Sequence, residues 1–499
     1  MKFNTVLLLS TLSVVAFAKP TKNTCWSERF NIPCCKSTKK VVRKTYDGIW
    51  GKENGEWCGL GKKSTRPKKD IPPSPPALLD LDSVVDPAAE CDISDVTSGD
   101  SLAKEAPFRF GVGFNGGAVN TSTASSKAMR EVVKYQFNSF TYSNLMKPLF
   151  VLDQEGCKKN YKKGKKDIAI NFTPFVDGLD FAQKNGLHVR GHVLLWHKQF
   201  PDWFFREGFD DEKKYVSKKV IYERLENYIK QYLGFVNYNY PGVVDAWDVV
   251  NEAVEVLEGK FDNSTGWYTR TTTYEGDRNI WYDFLGPDYV VNTFRIARKY
   301  SLPNVKLVYN DYDTFAQQPH DKTQAIINLM NILRKEDLVD ALGMQSYIQP
   351  VNPPFEENVA NYDKALQRFT AEGFEIQITE FTVYKAEVDN WLEVQVYQYR
   401  KMMETIMKNF KNGANITSVT VFGLQDGYRF YESDSQKTRL FDHDLQKKPT
   451  YEAIMEVLKA YNAEIEATEH DNESDSDDEE VVNAEIEEVE DSDDDKSNE

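Results

Sequence analysis

"VVDAWDVVNE", Val243 to Glu252, runs through an apolar, β-branched stretch and ends abruptly on an amide and a carboxylate. Its composition suits a strand buried on both faces. A polar pair directly behind such a strand suggests that the strand end opens onto something. Seven further runs of this kind fall between about Glu105 and Tyr461: "FRFGVGF" from Phe108, "FNSFTYS" from Phe137, "LHVRGHVLLW" from Leu187, "VKLVYND" from Val305, "ALGMQSYI" from Ala341, "FEIQITEF" from Phe374 and "SVTVFGL" from Ser418. Helix-compatible stretches such as "TPFVDGLDFAQKNG" and "DKTQAIINLMNILRKE" separate most of them. Strand and helix alternating eight times predicts an α/β fold, a (β/α)8 TIM barrel, over residues 105–462. A doubly wound sheet is the other architecture that such alternation permits, and "GVGFNG", Gly111 to Gly116, satisfies G-x-G-x-x-G. The polar "GGAVNTSTASS" that follows does not read as a helix, so a glycine-lined barrel strand end is the better reading.

In a barrel of this kind the strand C-termini gather at one face. The fourth and seventh runs carry Glu252 and Glu380 at their ends, so two carboxylates should meet over the same mouth. A glutamate after a strand often does no more than open a helix, where the dipole favours it. A pair over one mouth points instead to cleavage of glycosidic bonds. One acid protonates the leaving oxygen, the other attacks or stabilises the anomeric carbon, and a separation of about 5–5.5 Å would give retention of configuration. Repulsion between the two should keep Glu252 protonated and Glu380 ionised.

At these residues the chain resembles glycoside hydrolase family 10, the β-1,4-xylanases, from about Phe110 to Leu458. "WDVVNEAV" is similar to the family's acid/base motif and "QITEF" to its nucleophile motif, with "RGHVLLWHKQFPDW" and "YNDYD" in the expected order. The resemblance implies Glu252 as acid/base, Glu380 as nucleophile, and xylan or a related β-1,4-linked polysaccharide along the open face. It also implies sugar contacts from Asn144, Lys147, His192, Trp196, Gln199, Asn251 and Gln345. Five positions depart from the pattern. Ser143 replaces a Glu, Tyr347 a His, Thr382 the Asp that partners that His, and Phe422 and Phe430 two Trp. The Tyr347 hydroxyl can still donate to Glu380. Each phenylalanine can still lie against a pyranose, with less area and no N–H donor. Trp196, His192 and Lys147 taken singly would pass for barrel packing, a core histidine and a loop lysine. The departures leave room for a non-catalytic xylan-binding protein, or for the same mechanism on a glucan. The 6 histidines and scattered acids show no metal-ligand spacing, and neither metal nor cofactor is expected.

The formal net charge of -17 is misleading when spread over the molecule. Residues 463–499 hold 19 acidic side chains against one lysine, which leaves the rest at +1 and without a basic face for nucleic acid. This stretch reads as a disordered, solvated acidic tail. At the other end, residues 1–18 read as a secretory signal peptide, with Lys2, a short apolar run and Ala16-Phe17-Ala18. No later run is long and apolar enough to span a membrane. A secreted protein is expected, and sequons at Asn120, Asn171, Asn263, Asn415 and Asn472 are compatible with export.

Residues 22–61 crowd Cys25, Cys34, Cys35 and Cys58 into a segment too small for an apolar core. Two disulfides are expected there, and strain excludes only the bridge between adjacent Cys34 and Cys35. Residues 62–104, rich in Lys and Pro, read as an extended linker. Cys91 and Cys157 are left over. The cysteine-rich segment resembles the fungal dockerin, related to carbohydrate-binding module family 10, through "CWSERFNIPCC" and "DGIWGKENGEWCGL". That resemblance implies attachment to a scaffold protein of an extracellular cellulolytic complex, with direct cellulose binding as the rival role. Tyr46, Asp47 and Trp50 are the candidate binding face, because Trp and Tyr are favoured interface anchors.

Overall fold

The structure, a computed structural model, describes residues 25–115, 123–272, 278–317, 320–351, 353–427 and 437–467. The leader expected at 1–18, most of the acidic tail, Phe430, Asn120 and Asn472 lie outside these residues.

Eight parallel strands close into a barrel: β1 (Arg109–Phe114), β2 (Ser139–Tyr142), β3 (His188–Gly191), β4 (Val244–Asn251), β5 (Lys306–Asp311), β6 (Ala341–Met344), β7 (Glu375–Val383) and β8 (Ile416–Val421). Each pairs with the next, and β8 returns to β1 with Val421 opposite Val112. A helix follows each strand: α1 (Lys127–Gln136), α2 (Thr173–Asn185), α3 (Lys218–Asn239), α4 (Tyr289–Tyr300), α5 (Lys322–Lys335), α6 (Phe355–Ala371), α7 (Trp391–Lys411) and α8 (449–467). Local chemistry sets their ends. Ser126 caps α1 through the Met129 N–H, and Asp321 caps α5 through the Gln324 N–H. At α2, Pro174 stands in the first turn and Gly186 closes the helix at φ +68°. The acidic tail begins later than expected, because α8 remains helical to residue 467.

The strands are buried on both faces, which is why they read as continuous apolar runs. Inside the barrel, Ala246, Val308 and Ala341 form a small apolar layer. Above it Arg190 spans the interior, donating to Asp248 through Nε at 3.1 Å and reaching Gln377.

The N-terminal module is a three-stranded antiparallel sheet, Arg43–Lys44, Ile49–Glu53 and Glu56–Leu60. Disulfides Cys25–Cys34 and Cys35–Cys58 staple it, deciding between the two open pairings. Its candidate binding face is corrected by the structure, because Tyr46, Asp47 and Trp50 turn inward. Trp50 and Asp47 are both 0% exposed. Trp50 packs 4.6 Å from Trp26, and Asp47 pairs with Arg66. The Tyr46 ring lies 5.0 Å from Tyr300 on α4, and its N–H donates to the Lys299 carbonyl at 2.8 Å. On the same side the Phe30 ring lies 5.7 Å from Tyr238 on α3. A module of this size cannot close a core alone, so it borrows the helix surface. Trp57, opposite Lys52 in the sheet, is half-buried against the core, with Arg43 and Lys52 over its ring at 5.0 and 4.7 Å.

The expected extended linker also docks. Its Pro-rich middle lacks regular structure, but the Leu79 N–H donates to Asp177 on α2 at 2.6 Å. Ala88, Val96 and Leu102 join the main core. Lys and Pro content describes the solvent side of this segment, whereas three spaced apolar side chains decide where it lies. Cys91 is half-buried, Cys157 buried, and both are free thiols.

The Asp47–Arg66 pair is sealed at the seam between module and barrel. Arg66→Leu strands Asp47 without its partner and should destabilise the seam by about 3–5 kcal/mol. Adding Asp47→Asn should recover part of the loss. Denaturant unfolding and proteolysis of residues 62–77 measure both variants, and an unchanged profile for Arg66→Leu would refute the assignment.

Candidate active site

The mouth is built where β4, β5, β6 and β7 end. Asn251, the last residue of β4, pairs in register with Asn310 on β5. Glu252 follows in the left-handed region at φ +57°, which costs a residue with a side chain about 1–2 kcal/mol. Its backbone is held there, with its N–H donating to the Asn310 carbonyl at 2.9 Å and its carbonyl accepting from Arg270 Nε at 2.8 Å. The kink turns the carboxylate over the mouth, where three donors meet it. Trp196 Nε1 bonds Oε2 at 3.0 Å, while Gln345 Nε2 and Asn251 Nδ2 each bond Oε1 at 2.9 Å.

Glu380 rises from within β7, its N–H donating to the Gln345 carbonyl at 3.0 Å. Tyr347 Oη donates to its Oε2 at 2.6 Å, and Asn310 Nδ2 reaches its Oε1 at 3.3 Å. Asn310 also donates to Asn251 Oδ1 at 3.0 Å, so a continuous chain of side-chain hydrogen bonds joins the two carboxylates. Thr379 fixes Asn310 by donating to its Oδ1 at 2.8 Å.

Both glutamates are buried, at 5% and 7% exposure, and their carboxyls are shifted in opposite directions. Burial pushes Glu252 upward, but the field of His197, the Gln345 amide, Arg270 and the Trp196 N–H outweigh it and hold the carboxyl below its ordinary value. Burial also raises Glu380. There His192 and the Tyr347 donor pull down, the Glu252 charge pushes up, and the carboxyl rests above its ordinary value. These shifts run opposite to the order expected from repulsion alone, because the field of His197 and the groups that join it outweigh burial at Glu252, whereas burial prevails at Glu380. Lys147 lies close enough to feel both carboxylates, and burial brings its ammonium down to about 8.

The other candidate residues flank this pair. Lys147 Nζ donates to Asn144 Oδ1 at 3.2 Å and sits 5.0 Å over the Trp196 ring. His192 bonds Asp248 through Nδ1 at 2.8 Å. Burial works to raise Asp248, but the Arg190 charge and His192 prevail and keep it below the ordinary carboxylate value. An ionised Asp248 accepts the Nδ1 proton, so the other ring nitrogen is left for the mouth. The Gln199 carbonyl accepts from the Leu149 N–H at 2.9 Å and ties the loop after β3 to the segment of Lys147. The Phe422 ring stands edge-on to Tyr347 at 6.2 Å, and Tyr384 stacks on its other side at 6.0 Å.

The departures noted in the sequence divide into separate local solutions. Tyr347 donates straight to Glu380. Thr382, its register partner across the sheet, turns its hydroxyl to the Glu380 carbonyl at 3.0 Å instead of joining a dyad. Ser143 bonds Asn115 at 2.8 Å. Two residues that the sequence did not single out prove central. Asn310 bridges the carboxylates, and the quoted "YNDYD" contained it; buried Arg270 carried no signal in its loop. Among the described residues no cluster of three or more His, Cys, Asp or Glu suits a metal ion, and no helix is long and apolar enough to cross a membrane.

Comparison with known proteins accords with this geometry. Residues 101–457 match Glycosyl hydrolase family 10, and residues 24–60 match a cellulose or protein binding domain. The chain is 33% identical over 347 residues to endo-1,4-beta-xylanase B of Butyrivibrio fibrisolvens, covering 68% of this chain but only 51% of that protein. It is 35% identical over 329 residues to a putative endo-1,4-beta-xylanase of Caldicellulosiruptor saccharolyticus, covering 64% of this chain and 99% of that protein. Among solved structures, the Clostridium thermocellum xylanase 10B CBM22-1–GH10 modules complexed with xylohexaose superpose with a TM-score of 0.61 at 30% identity, covering 72% and 67% of the two chains. Native xylanase 10B from Thermotoga maritima gives 0.56 at 26% identity, covering 73% and 100%. With the family match spanning the whole barrel and both buried glutamates at its mouth, this chain belongs to glycosyl hydrolase family 10.

Proposed function

We propose that the chain is an endo-1,4-β-xylanase that cuts xylan internally with retention of configuration. The observation that carries this reading is the pair of buried glutamates joined through Asn251 and Asn310 at one barrel mouth. Glu380 attacks the anomeric carbon while Glu252 gives its proton to the departing oxygen. Water then enters, loses a proton to Glu252, and releases the sugar from Glu380. The first step needs the proton on Glu252, and a sugar 2-hydroxyl that engages the Asn251 amide takes one hydrogen-bond donor away from that carboxyl. Lys147, Asn144, His192, Trp196 and Gln199 hold the sugar on the non-reducing side, with Gln345 beneath and Phe422 across the mouth. Phe430, by the resemblance alone, adds a second ring.

The N-terminal module, on this reading, tethers an exported enzyme to a scaffold protein. With Tyr46, Asp47 and Trp50 turned inward, a partner would meet the module's remaining exposed surface. Pull-down against scaffold protein and against cellulose separates docking from direct cellulose binding.

Reducing-sugar release from xylan tests the catalytic assignment. Glu252→Ala and Glu380→Ala should each lower kcat by at least about a hundredfold, and full activity in both would defeat it. Measured against carboxymethylcellulose, the same assay decides whether xylan is the preferred polymer.

Tyr347→Phe should lower kcat roughly tenfold or more, the cost of one hydrogen bond to a charged acceptor. Its pH profile gives a sharper signature. Glu380 attacks only when ionised, so activity falls as pH drops through its pKa. Without the Tyr347 donor that pKa rises further, and the acid limb of kcat/KM must move to higher pH. A shift to lower pH, or none, contradicts the role.

A further inference from the structure

We propose that Phe261 is a stacking platform for a distal sugar on the leaving-group side of the cut, an inference that rests on the catalytic reading above. The chain leaves Glu252 as an extended segment and folds at once into a small antiparallel sheet. Val254 bridges Thr269, and strand Trp267–Thr269 pairs in turn with Lys260–Asp262. The hairpin is tied down by hydrogen bonds. Gly266, at φ +72°, closes the turn with its N–H on the Asp262 carbonyl at 2.8 Å, and Asn328 on α5 donates to the Gly266 carbonyl at 2.6 Å. Buried Arg270 ties it to the mouth by holding the Glu252 carbonyl at 2.8 Å, the Glu255 carboxylate at 2.8 Å and the Tyr312 hydroxyl at 2.6 Å.

On this anchored hairpin Trp267 and Thr269 face the core, whereas Phe261 remains 45% exposed. Its ring is pinned from one side by Tyr268, its register partner, at 4.6 Å between centroids, and Tyr268 is backed by His320 at 5.6 Å. A ring held in place behind and open in front offers a flat apolar face with little freedom left to lose on binding. The direction follows from the order of strands around the barrel. Asn144 and Lys147 follow β2, Trp196 and Gln199 follow β3, and Phe422 follows β8, so the non-reducing side occupies that half of the mouth. Glu252, the proposed donor to the leaving oxygen, sits at the end of β4, and a polysaccharide continuing past it runs out over the β4–β5 rim. The hairpin stands on that rim. A xylose unit, flat and without a hydroxymethyl arm, suits such a face.

The test compares Phe261→Ala with the parent chain, made in a bacterial host so that exposed Asn263 of the same turn carries no glycan. For xylohexaose, kcat/KM should fall about three- to tenfold. For an aryl β-xylobioside, whose leaving group ends at the first position, it should hold within about twofold. Phe261→Trp should restore xylohexaose turnover. Equal losses on both substrates, or no loss on xylohexaose, overturn the platform. If the parent cleaves neither substrate, the catalytic reading falls, and calorimetric titration decides the platform by itself. Weaker binding of xylohexaose with xylobiose unchanged supports it, and any other pattern overturns it.

Discussion

Two carboxylates buried in one barrel mouth repel each other, and the rest of the site is arranged to contain that repulsion. The response joins a lattice of neutral amides to the positive fields of His197 and Arg270 at Glu252 and of His192 and Lys147 at Glu380. Asn251, Asn310 and Gln345 spread donors over both acids, and Tyr347 and Trp196 close the outer ends. The two carboxyls are shifted in opposite directions, Glu252 downward against its burial, chiefly by the His197 field, and Glu380 upward chiefly by burial. The left-handed backbone at Glu252 belongs to the same arrangement, since an extended residue there would carry the carboxylate away from the Gln345 amide.

Where the resemblance implies a His–Asp dyad, this chain has Tyr347 and Thr382, and the Tyr347 hydroxyl donates to Glu380 directly. Its own proton is secure, because burial and the adjacent Glu380 charge push the Tyr347 hydroxyl far above its ordinary value. Tyr384 and Phe422 hold the ring from two sides.

The module and the linker form a continuous covering over the outer helices, joined by the Asp47–Arg66 pair and by aromatic contacts to Tyr238 and Tyr300. The module therefore has a defined orientation on the barrel. Its most conspicuous aromatic, Trp50, reads from sequence equally well as anchor or as core, and Trp26, Phe30 and Thr45 within the module decide for core.

The eight strands were legible because burial on both faces leaves unbroken apolar runs, and alternation with helical periodicity restricts the closure of such runs to few architectures. Glu252 and Glu380 were legible for the same reason: each interrupts an apolar run at the end that a barrel must open. The inward turn of Tyr46 and the docking of residues 62–104 were not, because each depends on a surface contributed by residues far away in the chain; the pairing of the cysteines and the burial of Trp50 turn on how the small module folds on itself. Asn310 and Arg270 belong with these, since their significance lies in which strand or hairpin lies beside them. The chain by itself determined which residues are buried and which carboxylates interrupt them, a local property of side-chain chemistry. Tertiary structure alone decided which donors meet each carboxylate, because a hydrogen bond exists only where two distant segments come within about 3 Å of each other.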